Sequence, residues 1–470
     1  MKFKFISILI LNFFSLILTK EEKYKEKIIY FPIVSNFNAF YANIFIGEPE
    51  KKVFLPLDQE MQILWADSGG YHPENSVTSK TINETKISFR YHSFYGKTIS
   101  DKICLKNNID INTNEINNIT TNITLDNFWF ITVGNIRGFD SRVGGIGLAY
   151  KFEDEKYSLI HQLKNKSLIS HLNYGFIPST LINTYNNDEI MNINETNLDT
   201  KNKNGIIFFG GVPKNYINDK YRYNCKLTEK YNFWSCELSY VFIGEINKYN
   251  NSKNIYFTNK NYAYFNAADR RILAPKDFMS FLKINYFIEE LLNRTCTYSM
   301  YGHNHIFECN CNIIDKFPNI TFIFDNYKYI FTSSELFLNY GGGFCQFLIQ
   351  ENHLRSNNFL LGSPFLSKFI SNFDYETKYI SFYSENQLEG INLNELFHPS
   401  HLIRNLMILG IIIIFIAIVC LIRRKIKNRQ NKKDLLLKIK SKGKSKIKQM
   451  NKEEEGYEME YFLLIFIYNL

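Results

Sequence analysis

The 470-residue chain is 45% hydrophobic and 16% aromatic, which excludes a wholly disordered polymer and supplies enough apolar side chain for more than one lobe. Its formal net charge of +9 belongs to one segment, because residues 423–452 hold 14 Lys/Arg against a single acid, Asp434. A basic run confined to one stretch argues for anionic lipid headgroups as its partner, not nucleic acid.

In chain order, Lys2 and Lys4 precede an apolar run from Phe5 to Leu18, the pattern of a secretory signal peptide over residues 1–19. The short interval from Thr19 to the first strand near Ile28 leaves little room for a prosegment. Apolar residues then alternate through Ala42-Asn43-Ile44-Phe45-Ile46, a Gly47-Glu48-Pro49 turn follows, and Val53-Phe54-Leu55-Pro56-Leu57 delivers Asp58. Two strand-like runs joined by a Gly/Pro turn predict a hairpin with a carboxylate at its exit. Trp65 lies seven residues further on. A second hairpin is expected from Ile87 to Leu105. The Asn-rich stretches Asn107–Thr124 and Asn183–Asn204 are expected as surface insertions.

The chain then repeats its opening device. Tyr262-Ala263-Tyr264-Phe265 leads to Asn266, two alanines, an apolar run and Pro275. Each copy is followed much later by an apolar–glycine–apolar strand: Gly147 lies 89 residues after Asp58, and Gly362 lies 96 after Asn266. Matched order and spacing predict a duplicated unit.

Seven cysteines precede the C-terminal apolar run, and six of them follow residue 224. This usage suits an oxidising compartment. Cys225–Cys236, flanking a turn, and Cys296–Cys309 are expected disulfides, with Cys104 a buried free thiol. The spacing of Cys296, His303, His305, Cys309 and Cys311 fits no zinc pattern, so no metal is expected, nor any cofactor. Sequons at Asn83, Asn118, Asn122, Asn165, Asn194, Asn250, Asn293 and Asn319 permit N-glycosylation. Leu406–Ile422 is 17 uninterrupted apolar residues, about 25 Å of helix, and Arg423, Arg424 and Lys425 follow at once. This predicts a transmembrane helix with a cytosolic tail and a lumenal or extracellular body. Tyr461-Phe462-Leu463-Leu464 has the form of a sorting signal.

Over residues 28–386 the chain resembles pepsin and cathepsin D type aspartic proteases. The resemblance rests on Gly47-x-Pro49, Leu57-Asp58, Trp65, Gly96 with Asp101, and Gly144-Gly145-Ile146-Gly147-Leu148-Ala149. It continues through Gly205-Ile206-Ile207-Phe208-Phe209-Gly210-Gly211-Val212, and through Leu361-Gly362-Ser363-Pro364-Phe365-Leu366 to the strand pair ending at Phe382. It implies an all-β dominated, bilobed pepsin-like fold, two duplicated six-stranded-type β lobes around a cleft, here with one C-terminal transmembrane helix. The expected organisation is a leader at 1–19, lobes at 27–223 and 224–386, a linker at 387–405, the span at 406–422 and the tail at 423–470. The resemblance also implies a Cys311–Cys345 disulfide.

The site residues are where the pattern breaks. The family places Asp-Thr/Ser-Gly in each lobe, and its two carboxylates share a proton and activate water. Here the triplets read Asp58-Gln59-Glu60 and Asn266-Ala267-Ala268, with the second register fixed by Pro275 nine residues on. Asp58 is a retained acid, and the Asn266 amide can neither ionise nor share a proton. Gln59 and Ala267 stand where the family has hydroxyls that tie the loops together, and Glu60 and Ala268 replace its glycines. Phe89 replaces the flap tyrosine, with Tyr91 two residues on. Trp65, Phe89 and Tyr91, with Glu60 and Ala268, are the expected lining of the cleft.

These departures predict a membrane-anchored pseudoprotease, monomeric, that binds a peptide or protein in its cleft. It is located on the secretory pathway or at the plasma membrane. An active endopeptidase would need Asp269 or Glu60 to rebuild the dyad. An adhesion or escort protein would use only the exterior of the fold. Charge placement further suggests that Arg270 or Arg271 bridges to Asp58 and Glu60 across the cleft floor.

Overall fold

The computed structural model of the chain describes residues 26–36, 39–67, 69–89, 92–106, 122–134, 144–151, 154–182, 204–230, 232–244, 255–301, 304–352, 358–391 and 401–442. The expected leader, Tyr91, His303, most of both Asn-rich insertions and the tail beyond 442 lie outside the described residues.

Six strands carry the site. In the first half they are β1 (Lys51–Asp58), β2 (Trp65–Asp67) and β3 (Gly144–Gly147). In the second they are β4 (Ile255–Phe265), β5 (Ile272–Ala274) and β6 (Phe359–Leu361). Val53, Leu55 and Leu57 of β1 turn inward while Lys51 and Lys52 stay exposed, the two-residue alternation of a half-buried strand. Pro56 and Asp58 are buried as well, so the strand enters the interior as it ends.

β3 lies between β1 and β2. It runs parallel to β1, pairing Leu57 with Ile146 and Asp58 with Gly147, and antiparallel to β2, pairing Trp65 with Gly145. The second half repeats the arrangement: β6 is parallel to β4 through Phe265 and Leu361, and antiparallel to β5 through Ile272 and Leu361. The duplication read from the apolar–glycine strands is therefore a duplication of topology.

Both glycines at the ends of the inserted strands are required by close approach. A Cβ on Gly147 would meet the Ile63 backbone at 2.4 Å, and one on Gly362 would meet Arg271 O at 2.2 Å and Asp269 O at 2.3 Å. No side chain fits there.

The larger sheet holds an antiparallel run drawn from both halves, in the order Arg222–Lys226, Tyr379–Tyr383, Ile370–Asp374, Asn173–Ile177, Asn204–Phe209 and Ile29–Asn36. Its inner face feeds Tyr174, Phe176, Phe209, Phe373 and Phe382 into one continuous core that also takes in the apolar side chains around both site loops. Ile177, Ile206, Phe208 and Ile370 pack on the outer face. The second half adds a seven-stranded sheet and a small four-stranded one. Disulfides join Cys225–Cys236, Cys296–Cys309 and Cys311–Cys345, with Cα–Cα separations of 6.0, 4.0 and 5.1 Å, and Cys104 is a buried free thiol. Among the described residues no group of His, Cys, Asp and Glu could hold a metal ion.

Residues from Asn394 onward form a separate unit. Its described part is one helix, His401–Lys442, whose apolar side chains Leu409, Ile411–Ile414, Phe415, Ile416, Ile418, Leu421 and Ile422 are exposed. Among the described residues no helix is long and apolar enough to cross a membrane.

Candidate active site

The strand ends bring Asp58 and Asn266 face to face. Each begins a tight turn of the same design. Met61 N–H donates to Asp58 O at 3.3 Å, and Asp269 N–H donates to Asn266 O at 3.1 Å. Within each turn the side-chain oxygen accepts the backbone N–H two residues on, Glu60 to Asp58 Oδ1 at 2.9 Å and Ala268 to Asn266 Oδ1 at 3.1 Å. These are Asx turns, open to Asp and Asn alike. The amide at 266 therefore costs the loop nothing in shape.

Between the turns the two residues differ in chemistry. Asn266 Oδ1 also accepts the Gln59 N–H from the opposite loop at 3.2 Å. Two N–H groups fix the amide oxygen, which leaves Nδ2 to donate to Asp58 Oδ1 at 3.1 Å; the orientation follows from this network. Asp58 is 2% exposed and Asn266 0%, so bulk water does not compete for the contact. The arrangement presents one carboxylate and one fixed donor.

Gln59 does more than the sequence suggests. Its Oε1 accepts the Ala267 N–H across the floor, so one longer side chain carries the inter-loop tie expected to be lost with the hydroxyls. Ala267 contributes only its backbone, and its carbonyl accepts Phe40 N–H at 2.9 Å. Glu60 fits in a buried position, 7% exposed, as does Ala268.

Of the two arginines expected to bridge to Asp58 and Glu60, Arg271 pairs with Asp269. The Arg271 N–H and Nε both donate to Asp269 Oδ1, at 3.2 and 3.0 Å, and Nη1 reaches Gln350 Oε1 at 3.3 Å. Arg270 is exposed. Asp269, at 3% exposure, is thereby turned to its own arginine.

Trp65 is buried beside Met61, Ile131, Val133 and Tyr157. The flap strands Lys80–Phe89 and His92–Lys106 pair with Phe89 opposite His92, but the Phe89 side chain and all of Tyr91 lie outside the described residues. Asp101, near the base of the flap, is buried and accepts from the Tyr71 and Thr78 hydroxyls and from the Lys102 N–H.

Leu148, the residue after the apolar–glycine strand, is the centre of a hub beside Asp58. Leu148 N–H donates to Asp58 O at 2.9 Å. The Leu148 carbonyl accepts the Tyr174 hydroxyl at 3.0 Å and Trp234 Nε1 at 2.8 Å. The Tyr375 hydroxyl divides its one proton between Ala149 O at 3.0 Å and Leu148 O at 3.3 Å. The rings pack on one another, Trp234 against Tyr375 at 4.8 Å between centroids. Burial pushes the Tyr174 hydroxyl well above its ordinary pKa; Tyr375 adds to this, a hydrogen bond from Gln59 opposes it, and the Asp58 charge adds a little more. Both tyrosines stay neutral donors. One signal was present in the sequence: of its 3 tryptophans, Trp65 and Trp234 fall beside the two site loops, and the Trp234 carbonyl accepts the Phe265 N–H at 3.1 Å.

The duplicated strand–turn units, joined by a shared sheet, agree with the family comparison. The family model for eukaryotic aspartyl protease matches residues 39–384. The chain belongs to that family. Among solved structures, the aspartic proteinase from Irpex lacteus is similar in fold, with a TM-score of 0.54 at 11% identity, covering 76% of this chain and 97% of that one. No curated protein matches the chain. In this chain Asp58 ends β1 and Asn266 follows β4, with Asn266 Nδ2 turned to Asp58 Oδ1.

Proposed function

We propose that this member of the aspartyl protease family is a pseudoprotease, which holds a peptide or protein segment in its cleft without hydrolysing it. The observation that carries the reading is the Asn266 amide, held by two backbone N–H groups with its Nδ2 turned to Asp58. Hydrolysis by the family's chemistry needs one carboxylate to take a proton from water and another to give one. An amide in the second place does neither. Asp269 would have to leave Arg271 to serve as a substitute. The tie from Gln59 to Ala267 keeps the two loops joined, which preserves a binding groove after its acid/base function has gone.

The organisation that goes with this reading has lobes at 27–223 and 224–386, a leader at 1–19, a single span at 406–422 and a basic cytosolic tail. It is supported by the exposed apolar side chains of the C-terminal helix and by the arginines and lysines that follow Ile422. The lobes then face the lumen or the cell exterior, where their sequons are open to N-glycosylation.

Incubating the detergent-solubilised full-length chain with a peptide library between about pH 4 and 7 tests the proposal. Retention of peptides without new termini is expected, and Ala268→Trp, which fills the floor, should abolish retention. Cleavage that a statine-type inhibitor blocks and Asp58→Ala removes would overturn it. Retention unchanged in Ala268→Trp would move the binding surface to the exterior of the fold.

A further inference from the structure

We infer that Asn293 carries an N-linked glycan that shields an exposed apolar stripe on the second half of the molecule. The stripe lies on the helical segment that follows Pro275. Through Lys276–Leu282, Lys283–Phe287 and Ile288–Leu292, the inward side chains Phe278, Met279, Leu282 and Phe287 are buried. Ile284, Ile288 and Leu292 face outward at 64%, 46% and 76% exposure. Ile288 and Leu292 are four apart in the α-helical part and share one face, and Ile284 precedes them in the π-helical turn Lys283–Phe287. Three aliphatic residues in a row on solvent are a liability unless something covers them.

The segment supplies its own attachment point. Asn293-Arg294-Thr295 is a sequon. Asn293 is exposed and ends the helix, its N–H donating to Glu289 O at 2.9 Å. Arg294 then turns into the left-handed region at φ 59°, and this helix-terminating turn leaves Asn293 at the rim of the stripe, beside Leu292. The first sugars of a glycan there lie within reach of Leu292 and Ile288. Their apolar faces can cover aliphatic carbon while their hydroxyls keep the surface wet. Asn83, Asn122, Asn165 and Asn319 are also exposed sequon residues, but none of them ends a helix bearing such a stripe.

The chemistry is a glycosyl transfer. Asn293 Nδ2 forms a bond to C1 of the sugar at the reducing end of a lipid-pyrophosphate-linked oligosaccharide, and the C1–O bond to pyrophosphate breaks. The lipid pyrophosphate leaves with the electron pair, and the amide gives up one proton. No redox partner is needed. In the folded chain the Thr295 hydroxyl donates to Glu290 O at 3.1 Å and to its Oε2 at 2.9 Å. The sequon hydroxyl is thus occupied once the helix end has formed, so the transfer must come before this end folds.

The inference rests on the lumenal placement proposed above, and one experiment separates the two. The full-length chain is produced in a eukaryotic secretory host, and each sequon is scored by glycopeptide mass spectrometry before and after enzymatic deglycosylation. Occupancy at Asn293 is expected, abolished equally by Asn293→Gln and Thr295→Ala. The Asn293→Gln chain should bind an apolar dye severalfold more strongly, and Ile288→Lys with Leu292→Lys should reverse that gain. An unmodified Asn293 beside an occupied Asn83 or Asn319 overturns the inference and leaves the lumenal reading standing. Absence of glycan at every sequon overturns both. Occupancy with no rise in dye binding after Asn293→Gln overturns the shielding role.

Discussion

Replacing Asn266 by Asp puts two carboxylates where an amide now donates to Asp58 Oδ1 at 3.1 Å. At that separation two full charges repel by about 5 kcal/mol with an effective dielectric of about 20, and the site is buried on both sides. One proton shared by the pair removes the repulsion, so the folded variant holds that proton to higher pH than an unfolded aspartate, which releases it near pH 3.9. A group whose proton affinity is raised on folding contributes stability that is complete below the unfolded value and is lost as pH rises through the folded one. After relaxation of the loops, the expected loss for Asn266→Asp relative to the parent is about 3–5 kcal/mol at pH 7 and under about 1 kcal/mol at pH 4. Urea unfolding followed by the fluorescence of Trp65 and Trp234 measures it. The exchange Asp58→Asn with Asn266→Asp carries one carboxylate and should show little of this pH dependence. Equal destabilisation of Asn266→Asp at both pH values would mean that position 266 does not face Asp58.

Gly362→Ala should lower stability by about 2 kcal/mol or more through overpacking, because its Cβ would lie 2.2 and 2.3 Å from two backbone oxygens, whereas Gly390→Ala, with nothing within 4 Å, should be neutral; the urea midpoint decides. Trp234→Phe removes one donor to Leu148 O and leaves Tyr174, with Tyr375 shared with Ala149 O. It should cost about 1–2 kcal/mol, and a double-mutant cycle with Tyr375→Phe should be non-additive. His161 is buried against the Tyr375 ring and shares a hydrogen bond with Ser158 Oγ at 3.0 Å. Burial lowers its pKa below 6.5, with Glu155 opposing. The folded state therefore takes up this proton later than the unfolded one as pH falls. Stability from this group is full above pH 6.5 and declines below it by at most about 1.4 kcal/mol per pH unit. His161→Asn should flatten that part of the stability profile.

The duplicated topology was legible because close packing leaves a chemical mark: only glycine fits at 147 and 362, and Pro275 fixes the second register. The Asp58 and Asn266 pairing followed from the same marks. The Gln59 tie was not legible, since a long amide replacing a hydroxyl reads as a loss until the distance it spans is known. The Arg271–Asp269 pair was not foreseen, since the sequence drew attention only to charges placed on opposite loops. The Leu148 hub was hidden for a different reason. Leu148 lies in the apolar–glycine motif, but its acceptor is a backbone carbonyl. Its donors come from residues 174, 234 and 375, so nothing in the motif shows which side chains reach it.

The sheet that joins Ile370–Asp374 to Asn173–Ile177 bears on how the chain is made. A ribosome has finished the entire first half long before it emits Ile370. Until then the Asn173–Ile177 edge stays unpaired, an open template for other strands. Closing that edge therefore waits for residues near the far end of the chain.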